Sequence, residues 1–160
     1  MISCVVSGAQ AGVDRGGLDA AIECGIKHGG WCPKGRRAED GIIPEIYRLK
    51  ETSSSGYKSR TSMNVACSNA TIVFTQGAPT PGSRLTIDYA ESIHRPCLHV
   101  DLSKFGDDDA AEMIVQWLNA QPVCVVLNIA GTRESKRPGI GQTVKNILVK
   151  VFNTVNKHEN

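Results

Sequence analysis

Short apolar runs separated by helical patterns constrain the fold of this chain more than any other feature. Cys4-Val5-Val6, Thr71-Ile72-Val73-Phe74, Cys97-Leu98-His99-Val100 and Val123-Cys124-Val125-Val126-Leu127 are nearly continuous and rich in β-branched residues. Such runs suit strands buried on both faces, because a strand with one wet face alternates apolar and polar positions. Gly30-Trp31-Cys32 offers a fifth, shorter strand. Between them the period becomes helical. Asp14 opens one helix through Leu18, Ala21 and Ile22, and Leu85, Tyr89 and Ile93 mark another. Asp107-Asp108-Asp109 opens a third, whose apolar face is Ala110, Ile114, Trp117 and Leu118. The last is the clearest: Ile140, Val144, Ile147, Leu148 and Val151 fall at helical spacing. Strands alternating with helices predict an α/β, Rossmann-like open, mostly parallel sheet with helices on both faces.

The 160 residues suit a single domain spanning 1–160. Aromatics make up only 5% of the chain, so Val, Ile, Leu and Ala must fill the core. A net charge of +2 argues against a dedicated nucleic-acid binder. No stretch has the length of a membrane span or the pattern of a signal peptide, so the expectation is a cytoplasmic protein without a membrane partner. Six cysteines (Cys4, Cys24, Cys32, Cys67, Cys97, Cys124) form no C-x-x-C pair, and the four histidines (His28, His94, His99, His158) have no zinc-type spacing to them. Buried thiols are therefore expected rather than disulfides or a structural metal. Cys24 and Cys32 lie near a basic loop, which leaves a ligand or redox role open. The Asp107-Asp108-Asp109 run reads as the acidic first turn of a helix rather than as metal ligands.

Two loops point to an anion. After strand Ile2–Val6, Ser7-Gly8-Ala9-Gln10-Ala11-Gly12 leads into the helix at Asp14. After the second apolar run, Gly77-Ala78-Pro79-Thr80-Pro81-Gly82-Ser83-Arg84 leads into another helix. A small-residue loop between a strand and a helix N-terminus lets backbone N–H groups face a phosphate. The first loop lacks G-x-G-x-x-G. The second has the glycine spacing of a P-loop, but Ser-Arg follows where Lys-Ser/Thr belongs, which disfavours a magnesium-dependent NTPase. Ser83 as N-cap and Arg84 in the first turn remain suited to phosphate without a metal. The bland alternative for each loop is a tight turn.

Basic clusters follow two strands. Trp31-Cys32-Pro33-Lys34-Gly35-Arg36-Arg37 follows the short one, and Asn128-Ile129-Ala130-Gly131-Thr132-Arg133-Glu134-Ser135-Lys136-Arg137 follows the strongest. Open α/β sheets bind ligands at the carboxyl ends of their strands, so these cations are placed to neutralise phosphate. The candidate binding residues are Gly8, Gln10, Gly12, Asp14, Arg15, Lys34, Gly35, Arg36, Arg37, Gly82, Ser83, Arg84, Asn128, Gly131, Arg133, Glu134 and Ser135. No metal ligand and no catalytic residue is assigned.

Residues 7–21 (Ser7-Gly8-Ala9-Gln10-Ala11-Gly12-Val13-Asp14-Arg15 onward), 28–41 and 128–135 resemble, in order, the signature segments of the "putative molybdenum carrier" family. The resemblance covers nearly the whole chain. It implies a Rossmann-like protein related to the lysine-decarboxylase-like phosphoribohydrolases, with a ligand such as molybdenum cofactor, a pterin phosphate or a nucleotide-like molecule. The chain departs from the family with Gly82-Ser83-Arg84 where Gly-Gly-Thr is usual, and with Ala9 and Ala11 in the first loop. Three readings follow. In the first, the chain binds or carries a phosphorylated small molecule, as a homo-oligomer paired through its apolar C-terminal helix. In the second, it is a phosphoribohydrolase-like enzyme cleaving the N-glycosidic bond of a nucleoside monophosphate, with Asp14, Glu134 and Asp88 as the available acids. In the third, it is a nucleotide-sensing module.

Overall fold

The computed structural model describes residues 1–121 and 125–157, so Val123, Cys124 and His158 lie outside the described residues. In chain order the elements are β1 (Ile2–Val6), α1 (Val13–Glu23), β2 (Lys27–Gly29), β3 (Trp31–Cys32), β4 (Arg37–Ala38), β5 (Gly41–Ile42), β6 (Lys50–Glu51), α2 (Tyr57–Ala66), β7 (Ala70–Thr75), α3 (Pro81–Ser92), β8 (Cys97–Asp101), α4 (Asp107–Asn119), β9 (Val125–Gly131) and α5 (Ile140–Val155). The central sheet runs β2-β1-β9-β7-β8, and every pairing in it is parallel.

That order and the handedness of crossovers decide where the helices lie. Parallel crossovers are right-handed, so connections running in opposite directions along the sheet occupy opposite faces. The path β1-α1-β2 runs outward one way, and β8-α4-β9 returns in the same sense. The paths β2-α2-β7 and β7-α3-β8 run the other way. Accordingly α5 packs against both α1 and α4 on one face, while α2 packs against α3 on the other. The faces exchange between β9 and β7. A crevice opens there at the carboxyl ends of the strands, the general position of ligand sites in open α/β sheets.

The β-branched runs are buried as expected. β7 is buried along its whole length, and Ile72 sits level with Ile129 of β9 and Leu98 of β8. On α5 the predicted stripe of Ile140, Val144, Ile147, Leu148 and Val151 is buried, and Phe152 and Val155 extend it. Truncating a fully buried leucine such as Leu148 to Ala costs about 2–5 kcal/mol. This stripe faces α1 and α4 inside the chain, so the apolar surface expected to pair with a second copy is already covered. The first strand and last helix are clasped. The Ile2 N–H donates to Asn156 Oδ1 at 2.9 Å, and Asn156 Nδ2 donates to the Ile2 carbonyl at 3.3 Å.

Three features differ from the sequence reading. The fifth strand of the main sheet is Lys27–Gly29, a polar edge strand, whereas Trp31–Cys32 pairs with Lys50–Glu51 in a separate two-stranded ladder. Ser83 is not the cap of α3. That helix begins earlier, with Thr80 as N-cap and Pro81 in its first turn, and the Thr80 hydroxyl oxygen accepts from the Ser83 N–H. The stretch between Lys34 and Tyr57 contains a short β4–β5 hairpin and β6, and it ends in a helix, α2, that the hydrophobic period does not announce.

The cysteines among the described residues are free thiols, but of the expected buried thiols only Cys32 is buried, and Cys67 is exposed. Cys32 is buried in the core, Cys24 closes α1, and neither borders the crevice. The three aspartates do fill the first turn of α4, where Asp108 accepts from Lys150 Nζ at 2.6 Å.

Candidate functional site

The crevice is a half-open cavity of about 260 Å³. Four segments wall it: the loop after β1 (Gln10, Ala11, Asp14), the start of α2 (Tyr57, Lys58, Arg60, Thr61), the start of α3 (Thr80 to Ser83, with Leu85 and Thr86), and the end of β9 with its loop (Ala130, Gly131, Arg133, Lys136). Of the sequence-predicted residues, Gln10, Asp14, Gly82, Ser83, Gly131 and Arg133 therefore meet in one place.

The loops are fastened to each other before any ligand is considered. The Val13 N–H donates to the Thr132 carbonyl at 3.1 Å, and the Glu134 N–H donates to the Ala11 carbonyl at 2.9 Å. Gly12 lies in this seam at φ 110°, and a Cβ there would stand 2.5 Å from the Glu134 nitrogen, so only glycine fits. Glu134 accepts from the Gly139 N–H and, at 3.1 Å, from the Gly141 N–H. Its carboxylate thus serves the N-terminus of α5, where negative charge complements the helix dipole. Asn128 is buried between strands and donates to Thr71 Oγ1 at 3.3 Å.

Other predicted residues hold the surrounding loops. Arg36 lies at φ 54°, and its guanidinium donates to the carbonyls of Ile43, Pro44 and Tyr47. Arg15 donates to the Ala9 carbonyl and pairs with Asp40. Gly35 donates its N–H to Glu51 Oε1 at 2.6 Å, and Lys34 precedes it in the same turn. The Ser135 hydroxyl donates to Glu39 Oε2 at 2.6 Å. Arg84 points along α3 to Asp88 at 3.9 Å, an exposed pair of little energetic weight. Arg37 donates to the Ser55 carbonyl and stacks on Tyr57.

The residues that sequence reasoning missed come from α2. Tyr57, Arg60, Thr61 and Asn64 recur at helical spacing, and Asn64 fixes the helix by bonding both the N–H and the carbonyl of Trp31. Arg60 then crosses the first glycine loop. A Cβ on Gly8 would lie 2.0 Å from Arg60 Nη1, so the small residue makes room for the guanidinium. Arg60 Nη1 donates to Asp14 Oδ2 at 3.1 Å, and the Gln10 N–H donates to the same oxygen at 3.3 Å. Gly8 and Asn128 border a small void of about 10 Å³ beside Arg60. The only sequence signal for this set is a basic, aromatic segment (Tyr57-Lys58-Ser59-Arg60) after a serine run.

Electrostatically the site is positive with one buried acid. Lys58, Arg60, Arg133 and Lys136 border the cavity against Asp14. Burial pushes the Asp14 carboxyl above its ordinary range, an effect opposed by Arg60, the Gln10 N–H, Arg133 and Arg15 in that order. Arg37, Arg60 and Arg133 all approach the Tyr57 ring, with Arg133 nearest at 4.4 Å from its centroid. Stacking there leaves the edge of the guanidinium open. Arg133, Lys58 and Lys136 make no ion pair with a described side chain. Such a set can hold a multiply charged anion over the N-terminus of α3. Among the described residues, no group of three or more His, Cys, Asp or Glu is arranged to hold a metal ion, and no helix is long and apolar enough to cross a membrane.

Comparison with known proteins agrees with this architecture. Residues 5–152 match the model of the circularly permutated YpsA SLOG family. The crystal structure of the "putative molybdenum carrier protein" from Syntrophus aciditrophicus SB is similar, with 44% sequence identity over 94% of each chain and a TM-score of 0.87. No curated protein matches. The Ile2–Asn156 clasp supplies the proximity of first strand and last helix that circular permutation of a fold requires. With the family match spanning nearly the whole chain, the protein belongs to the circularly permutated YpsA SLOG family.

Proposed function

We propose that this protein binds a phosphorylated small molecule in the crevice between α2, α3 and the β9 loop. The observation that carries the reading is charge: four cationic side chains border a small cavity, three of them without an ion pair among the described residues, and a helix N-terminus forms its floor. Lys58 and Lys136 are exposed and Arg133 half-buried, so water solvates them, but converging positive charge at a concave site raises the local concentration of an anion. Thr80, Gly82 and Ser83 present the first turn of α3 to that anion, and Arg133 offers it an open guanidinium fork. The neighbour's name adds a molybdenum-related ligand to the candidates. Molybdenum cofactor carries a phosphate and meets the requirement through it. A cavity of about 260 Å³ encloses the phosphate and its immediate neighbours rather than a whole fused-ring cofactor.

A second reading, cleavage of a nucleoside monophosphate at its N-glycosidic bond, has one observation in its favour. Of the three acids available from sequence, Asp14 alone borders the cavity; Glu134 serves α5 and Asp88 lies exposed on α3. A buried carboxyl with a raised pKa suits proton transfer to the leaving base.

The test is native mass spectrometry of freshly purified protein, followed by thermal-shift measurements with inorganic phosphate, nucleoside monophosphates and molybdopterin compounds. Stabilisation by intact phosphorylated compounds supports binding. Conversion of a nucleoside monophosphate to base and ribose phosphate supports the enzyme. An unchanged melting temperature with every compound removes both.

A further inference from the structure

The anion accounts for only one end of the cavity. At the α1 end a buried acceptor, Gln10 Oε1, and a buried donor, Arg60 Nε, stand without a partner among the described residues, a pairing that a ligand hydroxyl, which both donates and accepts, can complete. Gln10 is 2% exposed; its Nε2 donates to the Arg37 carbonyl at 2.9 Å, and its Oε1 has no partner among the described residues. Asp14 is 5% exposed; its Oδ2 accepts from Arg60 and from the Gln10 N–H, and its Oδ1 accepts from no described residue. An amide flip does not relieve Gln10, because it would set Oε1 against the Arg37 carbonyl. Buried polar atoms in folded proteins are nearly always paired, so an unpaired acceptor beside a binding cavity marks where a ligand or a water brings a donor.

We infer that the ligand is a hydroxylated phosphate ester, a sugar or polyol phosphate, whose phosphate lies at the cationic end and whose hydroxyls donate to Asp14 and Gln10. The inference rests on the anion-binding reading above and specifies the other half of the molecule. The donor must be neutral, since an ammonium group would enter a cavity bordered by Lys58, Arg60, Arg133 and Lys136. It must also be compact, because the cavity is slightly smaller than those that take drug-sized ligands. Gln10 lies in the loop before α1 and Asp14 in the first turn of that helix, and two acceptors on one wall match adjacent hydroxyls better than a single amide N–H. A second phosphate at this end would meet the Asp14 carboxylate, and the one cation there, Arg60, is already paired with it. The arrangement thus gives the ligand a direction: phosphate toward α3, hydroxyls toward α1.

Calorimetric titration of the whole chain with three probes tests this: inorganic phosphate, propyl phosphate, and its hydroxylated counterpart glycerol 3-phosphate. The expected result is that glycerol 3-phosphate binds about tenfold tighter than propyl phosphate. In Gln10→Leu that preference should fall to about twofold, because the acceptor is gone and only the phosphate is still read. Equal binding of the two esters to the wild-type chain overturns the inference while leaving anion binding standing. So does a preference that survives unchanged in Gln10→Leu. If none of the three probes binds, the anion reading fails and takes the inference with it.

Discussion

Arg60 of α2 reaches across Gly8 to donate a hydrogen bond to Asp14 at the start of α1, Nη1 to Oδ2 at 3.1 Å. Both side chains are mostly buried, so this one contact ties the helix carrying Tyr57 and Lys58 to the first glycine loop. It also leaves the cavity with a single acid among its cations. The pair sets the geometry on which the functional reading depends.

Removing one member of the pair leaves the other buried and uncompensated. Arg60→Met should cost about 3 kcal/mol, which for a chain of this length lowers the melting temperature by roughly 6–12 °C. Thermal unfolding followed by circular dichroism measures it. A loss under about one degree would mean that the pair is exchangeable with water.

Gly8→Ala acts on the same pair from the other side. The new methyl group would fall 2.0 Å from Arg60 Nη1, the far end of a flexible side chain, so the guanidinium should swing away from Asp14 while the backbone stays. The buried pair is then broken, so the variant should lose stability much as Arg60→Met does, with a change in phosphate affinity beside it. Gly12→Ala differs because its obstacle is backbone at a positive φ, and it should destabilise the fold by about 2–4 kcal/mol. Parallel melts and phosphate titrations of the two variants check this; a Gly8→Ala variant that melts as the wild type does would contradict the assignment.

Two arginines from the predicted basic clusters should behave oppositely. Arg36 is committed to three carbonyls of its own loop, so Arg36→Ala should lower stability by about 1–3 kcal/mol with little change in phosphate affinity. Arg133 borders the cavity and makes no side-chain hydrogen bond to a described residue, so Arg133→Ala should weaken phosphate binding by about 10- to 100-fold and leave the melting temperature nearly unchanged. Reversal of the two phenotypes would move the site to the Arg36 loop.

The Asp14 carboxyl holds its proton more tightly in the fold than in the unfolded chain, because burial raises its pKa above the ordinary 3.8. The stability this group contributes is therefore full below the unfolded value and is lost as pH rises through the folded value. Arg60, Arg133 and Arg15 face it and oppose the shift. On acidification from neutrality, wild-type protein should gain stability relative to Asp14→Asn. Urea denaturation of both across that range measures the difference, and a gap independent of pH would contradict the raised pKa.

The parts of the fold legible in the sequence are those determined by burial on both faces. Ala70–Thr75 and Val125–Gly131 have continuous apolar sequence because helices cover both sides. β2 escaped because an edge strand is held by backbone pairing, and Lys27-His28-Gly29 carries no apolar signal. α2 escaped for a related reason. Its buried residues are Thr61, Asn64 and Val65, two of them polar, and no period in hydrophobicity results. Arg60 was hidden with it. The carboxyl-end loops were legible from their glycines, but nothing local tells Arg36, which meets carbonyls of residues 43, 44 and 47, from Arg133, which meets the cavity. That difference arises only when distant segments pack.

The central claim is that the crevice holds a phosphorylated molecule through Arg133, Lys58 and Lys136. It is tested most directly by calorimetric titration of ribose 5-phosphate into wild-type protein and into the triple variant Arg133→Ala, Lys58→Ala, Lys136→Ala. The account predicts saturable binding to the wild-type chain that weakens with added salt, and loss of at least about 100-fold in a variant that melts as the wild type does. Equal affinity in the two proteins, or no binding to the wild-type chain, would contradict it.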